Sequence, residues 1–105
     1  MSFSATVLYP KTSDSTFDMS YYLKTHMPLV ESHWKQYGLE DWRVVEFGPG
    51  PDGSQPYSVQ AILTFKDAQS MQTASEKAGG PVFGDIPNFS NQQPVLVMGD
   101  IKANM

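Results

Sequence analysis

Residues 3–9 alternate, with Phe3, Ala5, Val7 and Tyr9 on one face and Ser4, Thr6 and Leu8 on the other. That period of two predicts a strand, which Pro10 and the polar run 11–16 bring to an end. From Asp18 the period changes. Met19, Tyr22, Leu23, His26, Val30, the His33–Trp34 pair and Tyr37 recur at helical spacing. Asp18 is placed to cap this helix, Phe17 before it to pack on Tyr22, and Gly38 to close it as the C′ residue. Pro28 lies inside the same stretch. A proline there removes one backbone hydrogen bond and crowds the carbonyl four residues back, so the pattern predicts a kink or a break into two shorter helices.

A second strand is predicted over 42–47, followed by a dense Gly/Pro turn at 48–53. The third covers 57–65, with Tyr57, Val59, Ala61, Leu63 and Phe65 on one face. Asp67 caps a second helix that runs to about Ala78. Its inward positions, Ala68, Met71, Ala74 or Ser75, and Ala78, are mostly small, which predicts close packing on the sheet. Gly79-Gly80-Pro81 ends it. Residues 82–93 read as a loop that carries Phe83, Ile86 and Phe89, and three large apolar residues in a loop predict a lid packed over something. The last strand, 95–99, is apolar on both faces, so both should be covered.

The order β-α-β-β-α-β predicts an α+β, ferredoxin-like domain spanning residues 1–105: a four-stranded antiparallel sheet with two helices on one face. The other face also needs cover. A second copy of the chain is the simplest cover, so the expectation is a homodimer with its sheets face to face.

Composition narrows the function classes. The net charge is 7 − 11 = −4, which lacks the basic footprint of nucleic-acid binding, and no Lys/Arg cluster offers an anionic membrane surface. The chain has no cysteine, which excludes disulfides, thiolate metal sites and cysteine nucleophiles and is compatible with the cytoplasm. Residues 1–6 show no signal-peptide pattern, and no segment approaches the length of a membrane helix.

The run Tyr21-Tyr22-Leu23-Lys24-Thr25-His26-Met27-Pro28-Leu29, with Phe17, Gly38 and the later Phe83-Gly84-Asp85-Ile86-Pro87-Asn88-Phe89, resembles the EthD family of the dimeric α/β-barrel superfamily. The resemblance extends from about Thr6 to Ile101. It implies a ferredoxin-like protomer, a homodimer whose two sheets form a barrel, and a pocket between helices and sheet. Related barrels include cofactor-free mono-oxygenases, muconolactone isomerases, and decarboxylases or dehydratases of aromatic polyketides, so the pocket is shared and the reaction is not.

His26 is the leading candidate for chemistry, because its side chain titrates near neutrality and sits at a helix irregularity. Tyr22, one turn earlier, is placed to share a ligand with it or to hydrogen-bond its ring. Asp85 could pair with His26 and fix its tautomer; the plainer reading is a turn residue. Asn88 could orient a substrate oxygen or close an Asx turn. Tyr9 and Tyr57, at strand ends, could reach the pocket as donors or belong to the core rim, and Phe83 and Phe89 could contact a flat aromatic ligand or simply fill the core. His26 and His33 stand two turns, about 10 Å, apart along a helix, too far to share one zinc ion, so no metal is expected. Gly48-x-Gly50-x-x-Gly53 joins strands and contains prolines, so it is not a dinucleotide fingerprint.

Two functions fit these residues. One is a small enzyme without a cofactor, acting on a hydrophobic, aromatic or polyketide-like metabolite, with His26 as acid/base and Tyr22 and Asp85 in support. The other is a binding or accessory protein that holds a small hydrophobic molecule without transforming it.

Overall fold

The structure is a computed structural model and describes residues 2–105; Met1, the first residue of the stretch read for a leader, lies outside them. Four strands form one antiparallel sheet: β1 (Phe3–Pro10), β2 (Leu39–Glu46), β3 (Tyr57–Phe65) and β4 (Val95–Asp100). Their order is β2-β3-β1-β4, the split arrangement expected from the order of elements. The second strand begins at Leu39, earlier than the 42–47 pattern predicted. Leu39 is buried and pairs with Phe65, so the sheet extends this strand past the point where alternation alone would have begun it.

Register explains which strand residues are buried. Ala5 pairs with Leu63, Val7 with Ala61 and Tyr9 with Val59, so the predicted inward faces of β1 and β3 coincide. Opposed residues share a face of the sheet, and this face carries the core together with Tyr22, Met27, Val30, Trp34, Met71 and Ala74 from the helices.

The first helix does not break at Pro28. It runs as α1 (Met19–Tyr21), a π-helical turn over Tyr22–His26, α2 (Met27–Trp34) and a closing 3₁₀ turn over Lys35–Tyr37. The Met27 N–H reaches the Tyr22 carbonyl, five residues back. The register therefore widens just before Pro28, the residue with no N–H to give, and helical backbone continues through it. At the start, the Asp18 carboxylate accepts from the Tyr21 N–H at 3.0 Å, and the Phe17 and Tyr22 rings meet with centroids 4.8 Å apart, as the capping pattern predicts. Gly38 ends the helix at φ 108°. A Cβ there would stand 2.6 Å from Ser70 Oγ, so both the backbone and the approach of the second helix require glycine.

The second helix, α3 (Ala68–Gly84), starts as predicted, with Asp67 accepting from the Ser70 N–H at 2.8 Å. It does not end at Ala78. The backbone kinks there (φ −142°), then resumes helical turns through Gly79-Gly80-Pro81 to Gly84. A 3₁₀ turn over Ile86–Asn88 follows. Much of the predicted 82–93 lid loop is therefore folded helical structure, held from below: Trp34 Nε1 donates to the Ala78 carbonyl at 3.0 Å, the carbonyl at the kink. No helix among the described residues is long and apolar enough to cross a membrane.

The expectation that β4 is covered on both faces is not met within one chain. All six of its residues are exposed, Val97 and Met98 by more than half. β4 is an edge strand paired only to β1.

Candidate functional site

The π-turn and the kinked end of α3 meet at one carboxylate. Asp85 Oδ2 lies 2.9 Å from Nδ1 of His26, its Oδ1 accepts from the Tyr21 hydroxyl at 2.6 Å, and the same Oδ1 accepts from the Asn88 amide at 2.9 Å. Three donors on two oxygens satisfy this carboxylate well, and charge-assisted bonds of this kind are among the stronger ones.

The electrostatics assign the proton positions. Burial pushes the Asp85 pKa up, but the hydrogen bonds from Tyr21, Asn88 and His26 outweigh it and hold the carboxyl below its ordinary value. An ionised carboxylate only accepts, so His26 Nδ1 carries the hydrogen. Burial lowers the His26 pKa, and the hydrogen bond and charge of Asp85 pull it back only in part. The imidazole is therefore neutral at pH 7 with Nε2 unprotonated. Nε2 has no hydrogen-bond partner among the described residues, yet no buried side-chain nitrogen or oxygen there lacks one. Nε2 must therefore keep some accessible surface.

The ring is held in an aromatic box. Tyr22 stacks on it nearly parallel, 5.1 Å between centroids and 14° between planes, and Phe89 packs against it at 4.6 Å. Tyr22 thus acts on His26 as a stacking face, not as the hydrogen-bond partner that helical spacing suggested. Its ring also meets that of Tyr9 edge-on, with centroids 5.9 Å apart. Burial foremost, then Tyr9, pushes the Tyr22 pKa far up, and burial raises that of Tyr9 to about 12, so both phenols stay protonated.

A cavity of about 30 Å³ lies beside His26, between the helices and the sheet, room for one or two waters. Its walls come from β1, β3, β4 and both helices. Tyr9, Tyr22 and Trp34 are the other lining residues with a polar side-chain atom, and no Asp, Glu, Lys or Arg lines it. Phe83, Ile86, Pro94 and Leu96 form its outer wall and are shared with an open groove of about 560 Å³ lined by uncharged residues.

Among the residues singled out in the sequence, His26, Tyr22, Tyr9 and Phe83 line the cavity. Asp85 and Asn88 hold His26 from behind. Phe89 is buried against the His26 ring and does not roof the cavity. Tyr57 pairs with Pro10 at the start of β3 and lines neither this cavity nor this groove. The residue that sequence reasoning passed over is Tyr21. In an α-helix, residues five apart face different ways, so helical spacing selected Tyr22. The π-turn brings Tyr21 and His26 to one carboxylate, and Pro28 is its only trace in the sequence. Among the described residues, no group of three or more histidines and carboxylates is arranged to hold a metal ion.

No protein-family model matches the chain, and no curated protein does. Solved structures do. An EthD-like protein from Ralstonia eutropha JMP134 superimposes with a TM-score of 0.89 at 24% identity, covering 99% of this chain and 95% of that one. A mutant of SnoaB, a cofactor-independent oxygenase from Streptomyces nogalater, gives 0.67 at 10% identity over 99% and 95%. A dimeric ferredoxin-like protein from Jannaschia sp. CCS1 gives 0.56 at 18% identity over 96% and 100%. The resemblance read in the sequence holds at the level of architecture: this chain has the ferredoxin-like fold of the EthD-like proteins.

Proposed function

We propose that this protein is an EthD-type enzyme that works without a cofactor and uses His26 as a general base on a hydrophobic, aromatic substrate. The observation that carries this reading is the part-buried His26–Asp85 pair. Its carboxylate fixes the Nδ1–H tautomer, which leaves Nε2 unprotonated on a residue that lines the cavity.

The chemistry follows from that arrangement. Nε2 takes a proton from an acidic C–H or O–H of the substrate. The electron pair passes into an adjoining carbonyl or aromatic system, and Asp85 stabilises the imidazolium that forms. A stabilised carbanion can be oxidised by dioxygen, and the same acid/base pair serves decarboxylation, dehydration or isomerisation. The cavity itself is too small for an aromatic ring. The adjoining groove is of ligand size, so the body of the substrate lies there and its acidic hydrogen passes the Phe83–Leu96 wall toward Nε2. The uncharged lining matches a neutral substrate.

The working unit in this reading is a homodimer. Register places Val45, Leu8, Ile62, Val95 and Val97 together on the sheet face away from the helices, and a second copy covers that face. The likeness to a dimeric ferredoxin-like protein supports it.

Base catalysis is testable before the natural substrate is known. Aromatic ketones with an acidic benzylic hydrogen, incubated in deuterium oxide, should exchange that hydrogen in the presence of the protein. His26→Gln should lower the exchange rate about 100-fold or more with an unchanged circular dichroism spectrum. Undiminished exchange in that variant would falsify the role of His26. Binding of such ketones without protein-promoted exchange would mark a carrier instead.

A further inference from the structure

We infer that Tyr21, seconded by Asn88, is a positioning residue that clamps the Asp85 carboxylate and thereby aims Nε2 of His26 into the cavity. This rests on the reading of His26 as the base, and it adds a residue that helical spacing does not select.

The geometry is specific. A carboxylate joined to a histidine through one oxygen can pivot about its own side-chain bonds. Here the second oxygen is held by two donors from different elements: the Tyr21 hydroxyl at 2.6 Å from α1, and the Asn88 amide at 2.9 Å from the 3₁₀ turn after Asp85. The first oxygen is then left in one place, 2.9 Å from Nδ1 of His26. Tyr21 is itself held, with its ring stacked along Phe89, centroids 6.3 Å apart, and Phe89 also packs on His26. The same π-turn that seats His26 therefore brings its indirect partner to the same carboxylate.

The clamp also sets charge. Each donor on Oδ1 draws negative charge away from Oδ2, which limits how strongly Asp85 holds a proton on His26. The titratable groups around His26 are Asp85 and the phenols of Tyr21, Tyr22 and, beyond Tyr22, Tyr9. The hydrogen bond to Asp85 foremost raises the Tyr21 pKa, so all three phenols remain protonated across the range in which histidine titrates. Removing the Tyr21 hydroxyl should therefore make Asp85 a stronger acceptor and His26 more basic.

Histidine NMR reads this directly, without a substrate. The sequence contains two histidines, so the imidazole signals of His26 can be assigned with His33→Gln, and His33 serves as internal reference. Wild-type protein should show the Nδ1–H tautomer at neutral pH. Tyr21→Phe should raise the His26 midpoint by about 0.5 pH unit, and Asn88→Ala should move it the same way while His33 stays put. The hydrogen-exchange rate should fall in both variants. An unmoved or lowered His26 midpoint in both would overturn the clamp and leave Tyr21 a packing residue. That outcome would not touch the base role, which the His26→Gln comparison decides separately.

Discussion

His26 sits between two opposing influences, and their balance decides its chemistry. Burial in an aromatic box disfavours the imidazolium, while the Asp85 carboxylate favours it; burial prevails. A base must be unprotonated to act, so the rate should fall only as the pH drops through the His26 midpoint. That midpoint lies below the ordinary value of 6.5, and activity should be flat through neutral pH. Asp85→Asn removes the carboxylate that favours the imidazolium, so the acid limb of the pH–rate profile should move to still lower pH while the plateau drops. A wild-type limb above 6.5 would contradict the burial argument. At this scale much was legible in the sequence. His26 and Asp85 were identifiable from residue type and from the resemblance. The stacking of Tyr22 on His26 and the part of Tyr21 were not legible, because helical spacing was read as α-helical where the chain makes a π-turn.

Among elements, the joint between the first helix and the second is a close one. Gly38 holds a left-handed backbone against Ser70 of α3. Gly38→Ala should therefore cost about 2 kcal/mol or more, from backbone strain together with the clash, read as a lower urea midpoint with an unchanged slope. A neutral substitution there would show that α3 yields easily. The strand and cap signals in the sequence were reliable because their causes are local: alternation over β1 and β3, and a side-chain oxygen one turn ahead at Asp18 and Asp67. The stretch after Ala78 was not, because glycine and proline predict an end to the helix whether or not something beyond them supports another turn. The Trp34 indole, from a different helix, takes up the carbonyl at the kink, and Val82 packs into the core beyond it.

For the whole molecule, the exposed face of the sheet sets the remaining expectation. Val97→Glu combined with Val45→Glu places two carboxylates on that face without touching the buried core. Native mass spectrometry should show the wild type as a dimer and the variant as a folded monomer. A wild type that stays monomeric at micromolar concentration would remove the dimer from the proposed function. Hydrophobic periodicity, cap residues and turn residues determined the order of elements and the inward faces of the strands, because each of these acts within a few residues along the chain. Helix register at Pro28, helical structure past Ala78, and the meeting of Tyr21, His26 and Asn88 on one carboxylate were decided only in three dimensions. The sequence separation between His26 and Asp85 is 59 residues, and no local rule spans it. The pairing exists because the sheet sets where both helices lie, and because the widened turn rotates Tyr21 and His26 toward the segment that carries Asp85.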